Sequence, residues 1–111
     1  MFIRNAWYIA AWADELGEKP LARRICDDPI VLFRDRRGQP AALLDRCCHR
    51  SAPLSLGSVV AGNIQCGYHG LAFDGRGACV AVPGQSYISE GARLRSYPVV
   101  EKVLLLWIWM G

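Results

Sequence analysis

Short apolar segments alternate with turns containing glycine or proline along most of the chain, and this alternation restricts the possible folds more than any other feature. Segments 30–34 and 41–45 flank the hydrophilic connection DRRGQP, which predicts a β-hairpin. Segments 71–73 and 78–82 flank DGRG, whose two glycines tolerate positive φ angles. This second pattern predicts another hairpin.

Two further pairs of apolar segments follow the same rule. Segments 58–60 and 63–66 flank Ala61-Gly62 and predict a third hairpin, while 96–101 and 104–110 predict a closing pair of strands. Little in the chain repeats at helical spacing. Many short strands with frequent turns indicate an all-β fold, an antiparallel sandwich or barrel.

Length and composition indicate one globular domain covering residues 1–111. Hydrophobic residues make up 52% and charged residues 21%, an ordinary globular balance. The longest apolar run, 103–110, is too short to cross a bilayer and is interpreted as a buried strand, so no membrane partner is expected. Net charge is only +3 and the basic residues are scattered, which argues against nucleic acid as a partner.

The N-terminus and the cysteine count both predict a cytoplasmic location. The apolar stretch 6–13 weakly resembles a secretory signal, but it is short, contains bulky aromatic residues and runs directly into Asp14 and Glu15. Five cysteines, an odd number, suit a reducing compartment. Cys26 and Cys79 lie in strand-like surroundings and are predicted to be buried small apolar residues.

Both histidines of the chain stand close to a cysteine. Cys47 and His49 form a C-x-H pair, and Cys66 and His69 form a C-x-x-H pair. Each pair directly follows a strand-like segment, so both lie on loops at strand ends. Two such loops side by side can bind one metal centre with two thiolates and two imidazoles. This ligand set favours zinc or iron–sulfur chemistry.

The order of the ligands separates these two metals. A structural zinc site of this type groups cysteine with cysteine and histidine with histidine. Mixed pairs instead suit a two-iron cluster in which two cysteines bind one iron and two histidines the other. The spacing C-x-H, about sixteen residues, then C-x-x-H resembles that of Rieske [2Fe-2S] proteins. A structural zinc site and a chance coincidence are the alternatives.

The resemblance extends over essentially all 111 residues. The segments RNAWYIAAW, CCHRSAPLS, CGYHGLAFD, VPG and RSYPVVE are similar to the N-terminal Rieske domain of ring-hydroxylating and O-demethylating oxygenases, nearest the vanillate O-demethylase and dicamba-demethylating type. The resemblance implies a Rieske-type sandwich in which two hairpin loops hold the cluster. It also implies that the cluster-binding residues are Cys47, His49, Cys66 and His69.

The family's function follows as an expectation from the same resemblance. Such a cluster accepts electrons from a reductase or ferredoxin and passes them to a mononuclear iron in a separate C-terminal catalytic domain, which activates O2. Full-length members are expected to be homo-oligomers. A free-standing Rieske ferredoxin is the alternative, but the ending LLLWIWMG, without a polar tail, favours a fragment of a longer oxygenase. The chain alone is expected not to turn over substrate, and the identity of the substrate is not encoded in it.

The sequence gives weaker indications of function for the residues beside the expected ligands. Gly67 and Gly70 would let backbone N–H groups approach the cluster, and Tyr68 could hydrogen-bond near a ligand cysteine, although turn glycines and a packing aromatic explain them equally well. In respiratory Rieske proteins a disulfide joins the two cluster loops. Here the corresponding positions are Ala52 and Tyr68, so Cys48 has no obvious partner.

Three other features near the motifs carry expectations of the same kind. Pro83-Gly84 matches a third covering loop of the family, or an ordinary turn, and Arg50 is a candidate to brace the first loop. The basic segments 22–24 and 34–37 could dock an acidic reductase, but a solvated hairpin face is the better interpretation.

Overall fold

The computed structural model describes residues 2–46, 53–67, 70–81 and 93–111. Within these ranges the chain forms two short 3₁₀ turns, at Ala13–Glu15 and Leu54–Leu56, and eleven strands. The strands are β1 (Ala6–Trp12), β2 (Leu21–Ile25), β3 (Asp28–Arg34), β4 (Pro40–Leu44), β5 (Ser58–Val60), β6 (Asn63–Gln65), β7 (Ala72–Phe73), β8 (Cys79–Ala81), β9 (Ser96–Tyr97), β10 (Val99–Lys102) and β11 (Leu105–Met110).

The strands form three antiparallel sheets with orders β1-β11-β10, β2-β3-β4-β9 and β5-β6-β7-β8. The middle sheet is covered on both faces. Ile30 and Leu32 of β3 face a core shared with the first sheet, whereas Val31 and Phe33 face a second core shared with the third sheet. Burial on both faces explains why β3 reads as a continuous apolar run instead of an alternating one.

The three hairpins predicted from the sequence are confirmed. β3 pairs with β4, β5 with β6, and β7 with β8, each antiparallel and each joined by the expected turn. In the β5–β6 turn both central residues have positive φ, 53° at Ala61 and 80° at Gly62, the geometry that a two-residue hairpin loop needs. The prediction of an all-β antiparallel fold is therefore confirmed in class and in local pairing.

The predicted closing pair is only partly right. β10 pairs with β11, but β9, from the same segment 96–101, pairs with β4 in the middle sheet. Pro98 stands between β9 and β10 and cannot donate a ladder hydrogen bond, although its carbonyl accepts one of 2.9 Å from the Trp109 N–H. The chain therefore changes sheet at this proline.

Strands β1 and β2 were not predicted. In β1 the register shifts between Ile9 and Ala11, so that Ala10 and Ala11 are both buried and the two-residue alternation is lost. β2 contains two consecutive arginines, Arg23 and Arg24, and the sequence pattern therefore predicted a solvated segment there. The chain between these strands contains only the single 3₁₀ turn at Ala13–Glu15, where the Glu15 carboxylate accepts a 2.9 Å hydrogen bond from the Trp12 N–H.

Two arginines of the basic segments form hydrogen bonds and ion pairs with other parts of the fold. Arg34 donates hydrogen bonds of 2.8 Å to the carbonyls of Ala13 and Leu16 and forms a 2.9 Å ion pair with Glu101. Arg23 forms a 2.8 Å ion pair with Glu15. These two side chains fasten the 3₁₀ turn to the strands, so the basic segments are not a purely solvated face.

Both cysteines predicted to be buried are buried. Cys79 lies in β8 as expected, whereas Cys26 lies in the turn between β2 and β3 with a φ of 52°, not in a strand. Across the described ranges, no helix has the length and apolar character needed to span a bilayer.

Candidate metal centre

The two predicted ligand segments begin where β4 and β6 end. Asp45 and Arg46 follow β4 and lead into the first segment, and Cys66 directly follows β6. Of the four predicted ligands, Cys66 belongs to the described part of the chain. Outside that part lie the other three ligands and several residues with predicted supporting roles: Cys47, His49, His69, Cys48, Arg50, Ala52, Tyr68, Pro83 and Gly84.

Cys66 occupies a buried position at the start of a tight loop. Cys66 is only 2% exposed and packs in the second core. Its backbone N–H donates a 2.7 Å hydrogen bond to the carbonyl of Leu71, and its carbonyl accepts one of 3.0 Å from the Gly70 N–H. These two bonds fix Gly70 and Leu71 directly against Cys66.

The backbone requires glycine to a different extent at Gly67 and at Gly70, the two glycines that follow Cys66. Gly70 has a φ of 73°, so the turn itself calls for glycine at that position. Gly67 is exposed, and a Cβ there would lie 3.4 Å from the carbonyl oxygen of Leu56, which is an ordinary contact. The backbone of the turn therefore requires Gly70, whereas it would accept a side chain at Gly67.

The glycine with the strictest steric requirement is Gly57, which the sequence analysis missed. A Cβ at this position would lie 1.9 Å from the carbonyl oxygen of Gln65 and 3.0 Å from the backbone nitrogen of Gly67. The backbone following the first ligand segment thus lies directly against the backbone around Cys66. The turn signal around Gly57 was visible in the sequence, but a contact with a residue eight positions away was not.

Asp45 is the second residue that the sequence analysis missed. It is 7% exposed and is the one charged side chain that the described ranges bury. Its carboxylate accepts a 2.7 Å hydrogen bond from the Ser55 N–H and a 2.6 Å hydrogen bond from the Ser55 hydroxyl. The two residues stand on either side of the first ligand segment. An aspartate two positions before Cys47 was the only signal available.

A groove of about 660 Å³ runs beside the hydrogen-bonded pair of Asp45 and Ser55. It is lined by part of β2 and by both ends of the first ligand segment, and its side chains include Arg23, Arg24 and Arg46. Asp45 also lines the groove, but its carboxylate is already hydrogen-bonded to Ser55. The groove therefore presents mainly positive charge next to the predicted cluster loop.

The donor chemistry of the ligand segments fits an iron–sulfur centre. Within the described ranges, no group of three or more histidine, cysteine or acidic side chains could bind a metal. The predicted centre combines Cys66 with donors from the segments around Cys47 and His69, most of which lie outside these ranges. Two thiolates and two imidazoles are the set that a Rieske-type two-iron cluster uses.

Comparisons with known proteins indicate the same kind of cofactor. A family model described as Rieske [2Fe-2S] domain matches residues 6–98. The chain is 55% identical to the oxygenase component of dicamba O-demethylase from Stenotrophomonas maltophilia, over 99% of this chain and 33% of that protein. It is 51% identical to a putative iron-sulfur subunit of the toluene-4-sulfonate monooxygenase system from Comamonas testosteroni, over 100% of this chain and 32% of the relative.

A solved structure gives the same result. The crystal structure of apo dicamba monooxygenase superimposes with a TM-score of 0.95 at 54% identity, covering 99% of this chain and 34% of that one. The chain thus spans about a third of the length of the relatives it matches. The predicted resemblance and the predicted cofactor are both confirmed, and the zinc alternative finds no support. The chain belongs to the Rieske [2Fe-2S] domain family, whose cofactor is a Rieske-type [2Fe-2S] cluster.

Proposed function

We propose that this chain is the electron-transfer domain of an aromatic ring-hydroxylating or O-demethylating oxygenase. It takes single electrons from a reductase or ferredoxin and delivers them to a mononuclear iron in a catalytic domain outside residues 1–111. The observation that carries the proposal is the match of the whole chain to about a third of oxygenase components, at 51% and 55% identity. A Rieske ferredoxin working alone is the alternative.

The proposed ligands are Cys47 and Cys66 for one iron and His49 and His69 for the other. A bound cluster of this type supplies reversible one-electron transfer at an intermediate potential, because two neutral imidazoles replace two anionic thiolates. The burial of Cys66 supports the assignment, since it keeps a thiolate ligand away from water. Each histidine also keeps one ring nitrogen for a hydrogen bond, through which a carboxylate of a neighbouring domain or subunit can hold it.

The residues around Cys66 have proposed supporting roles. Gly70 would hold the chain close to Cys66 through its N–H bond to the Cys66 carbonyl. The exposed Gly67 leaves room for the cluster above the backbone, and Tyr68 is the candidate hydrogen-bond donor to a ligand sulfur.

An exposed apolar face supports a covering catalytic domain. On the first sheet, Trp7 and Ile9 of β1 are about half exposed, and so is Val100 of β10. Trp7 and Val100 line a groove of about 490 Å³ together with Trp107. Contiguous apolar surface of this kind marks an interaction site, so it favours a domain of a larger oxygenase over a protein working alone. Full-length assemblies are proposed to be homo-oligomeric, as the resemblance implies.

The proposed electron donor has an acidic docking surface. Arg24 and Arg46 are exposed on the groove beside the first ligand segment, and positive charge there would attract such a partner and orient it near the cluster. A cytoplasmic location is proposed with it, because the odd number of cysteines suits a reducing compartment.

Metal analysis and ligand substitution test the assignment. Protein purified without oxygen should contain two irons and two acid-labile sulfides per chain. Cys47→Ser and His69→Ala should remove the visible and EPR signals of the cluster, whereas the neighbouring Cys48→Ser should retain them. Bound zinc, iron without sulfide, or a signal that depends on Cys48 and not on Cys47 would contradict the proposed ligand set.

A further inference from the structure

We propose that Asp45 is a positioning residue for the metal centre: its carboxylate binds Ser55, which holds together the residues on either side of the first ligand segment and connects them to the second segment. The inference rests on the proposed function, because it requires that Cys47 and His49 bind the cluster. Asp45 itself is not a ligand in this proposal. It acts on the cluster through the backbone that carries the ligands.

Asp45 is anchored on both sides. Its backbone N–H donates a 2.9 Å hydrogen bond to the carbonyl of Pro29 in β3, which holds the residue against the middle sheet. Its carboxylate accepts the two hydrogen bonds from Ser55, at 2.7 Å and 2.6 Å. Hydrogen bonds to a charged acceptor are stronger than those between neutral groups, and a buried carboxylate needs them. The Asp45–Ser55 clasp is therefore a firm contact.

The clasp continues to the second ligand segment. Ser55 belongs to the 3₁₀ turn whose first residue, Leu54, is fully buried in the second core. Gly57 ends this turn with a 2.9 Å hydrogen bond from its N–H to the Leu54 carbonyl, and it lies against the backbone of Gln65. Gln65 directly precedes Cys66. A short series of close contacts thus joins the entry to the first ligand segment with the cysteine of the second.

The proposed physical effect is a smaller entropy cost of metal binding. Because the clasp fixes the chain on both sides of the first ligand segment, at Asp45 and Ser55, Cys47 and His49 should lose less entropy when they bind iron. Groups that orient metal ligands typically change metal retention by about 10-fold to 100-fold. Without the clasp, the cluster should be lost faster, and its ligand geometry should become heterogeneous.

The test uses the iron-loaded protein and four substitutions. Asp45→Ala removes both hydrogen bonds and should accelerate cluster loss to an iron chelator by about 10-fold or more under native conditions, with a broadened EPR signal. Ser55→Ala removes only the hydroxyl bond and should change both in the same direction to a smaller extent. Asp45→Asn can still accept from the Ser55 N–H and donate to its hydroxyl, so its rate should lie between those of Asp45→Ala and wild type. Ser55→Thr keeps both donors and should retain the wild-type rate and spectrum.

Asp35 provides the matched control. Its carboxylate also accepts two hydrogen bonds, of 2.9 Å each, from the N–H groups of Arg37 and Gln39, but at the opposite end of β4. Asp35→Ala should lower the denaturant midpoint without changing cluster loss or the EPR signal.

The possible outcomes separate positioning from stability. If Asp45→Ala and Ser55→Ala lower the denaturant midpoint yet lose the cluster at the wild-type rate with an unchanged spectrum, the positioning role is wrong. If Asp45→Ala does not fold, Ser55→Ala decides, because it keeps the carboxylate. A wild-type protein that holds no cluster would instead overturn the proposed function, and the positioning role with it.

Discussion

The hydroxyl of Tyr97 donates a 3.0 Å hydrogen bond to the carboxylate of Asp28, joining β9 to the start of β3. The same carboxylate forms ion pairs with Arg4 at 3.2 Å and Arg95 at 3.6 Å. Hydrogen bonding from the Arg4 guanidinium is the main reason that the pKa of Asp28 lies below its usual value. The N-terminal segment, the middle sheet and the chain after residue 93 thus meet at one side chain.

Replacing Asp28 should destabilise the fold. Asp28→Asn removes the charge that Arg4 and Arg95 face and weakens the hydrogen bond from Tyr97, so we expect the free energy of unfolding to fall by roughly 1–3 kcal/mol. Denaturant titration at neutral pH measures this loss. Asp27→Asn is the control, because its side chain is exposed in the same turn. Equal stabilities for the two variants would show that the contacts at Asp28 contribute nothing.

Alkaline pH should weaken the same site through Tyr97. Burial, followed by the hydrogen bond to Asp28, raises the pKa of Tyr97 to about 12. Because this pKa is above the unfolded value of about 10, the contribution to stability is complete below pH 10 and is lost as the pH rises towards 12. Unfolding titrations from pH 8 to 12 should show a steeper decline for wild type than for Tyr97→Phe. Parallel curves would contradict the raised pKa.

Gly57 should be far less tolerant of a side chain than Gly17. Gly57→Ala places a Cβ 1.9 Å from the Gln65 carbonyl oxygen, so the backbone before Cys66 has to move. We expect the iron content of the purified protein to fall severalfold and its melting temperature to drop. Gly17→Ala meets no atom within 4 Å and should leave both unchanged, or add about 0.4–1 kcal/mol of stability. Matching iron contents in the two variants would show that this backbone contact does not support the metal centre.

The two histidines lead to a prediction about catalysis. A mononuclear iron that activates O2 uses two histidines and a carboxylate, but His49 and His69 are both assigned to the cluster. We therefore expect the chain alone to accept and release single electrons without hydroxylating or demethylating anything. Supplying a chemical reductant, O2, ferrous iron and methoxylated aromatic acids should yield no product above a protein-free control. Iron-dependent turnover would reveal a catalytic site within these 111 residues.

Local patterns predicted the parts of the fold that depend on neighbours in sequence. The three hairpins were predictable because turn residues and flanking apolar segments lie within a few positions of one another. Strand β1 was not, because its bulge buries Ala10 and Ala11 together and its partner is the last strand of the chain. The change of sheet at Pro98 was equally hidden, since the proline marks a break in pairing but not the strand that pairs next.

The candidate site also contains residues that the sequence could identify and residues that it could not. Chemically distinctive residues such as Cys66 could be assigned from type and spacing alone. Asp45, Ser55 and Gly57 could not, because aspartate, serine and glycine are common in any turn. What distinguishes them is burial, a hydrogen bond across ten positions and a backbone contact, all of which exist only once the strands are assembled.

The pairing of β1 with β11 also has a consequence for how the chain folds as it is synthesised. β1 leaves the ribosome before the other strands but must wait for residues 105–110 before it has a neighbour, and until then the residues that it later buries, such as Ala10 and Ala11, remain open to chaperones or to other nascent chains. The hairpins of the third sheet need only nearby residues and can form much earlier. The half of the domain that carries Cys66 can therefore take shape while the opposite half is still unfinished.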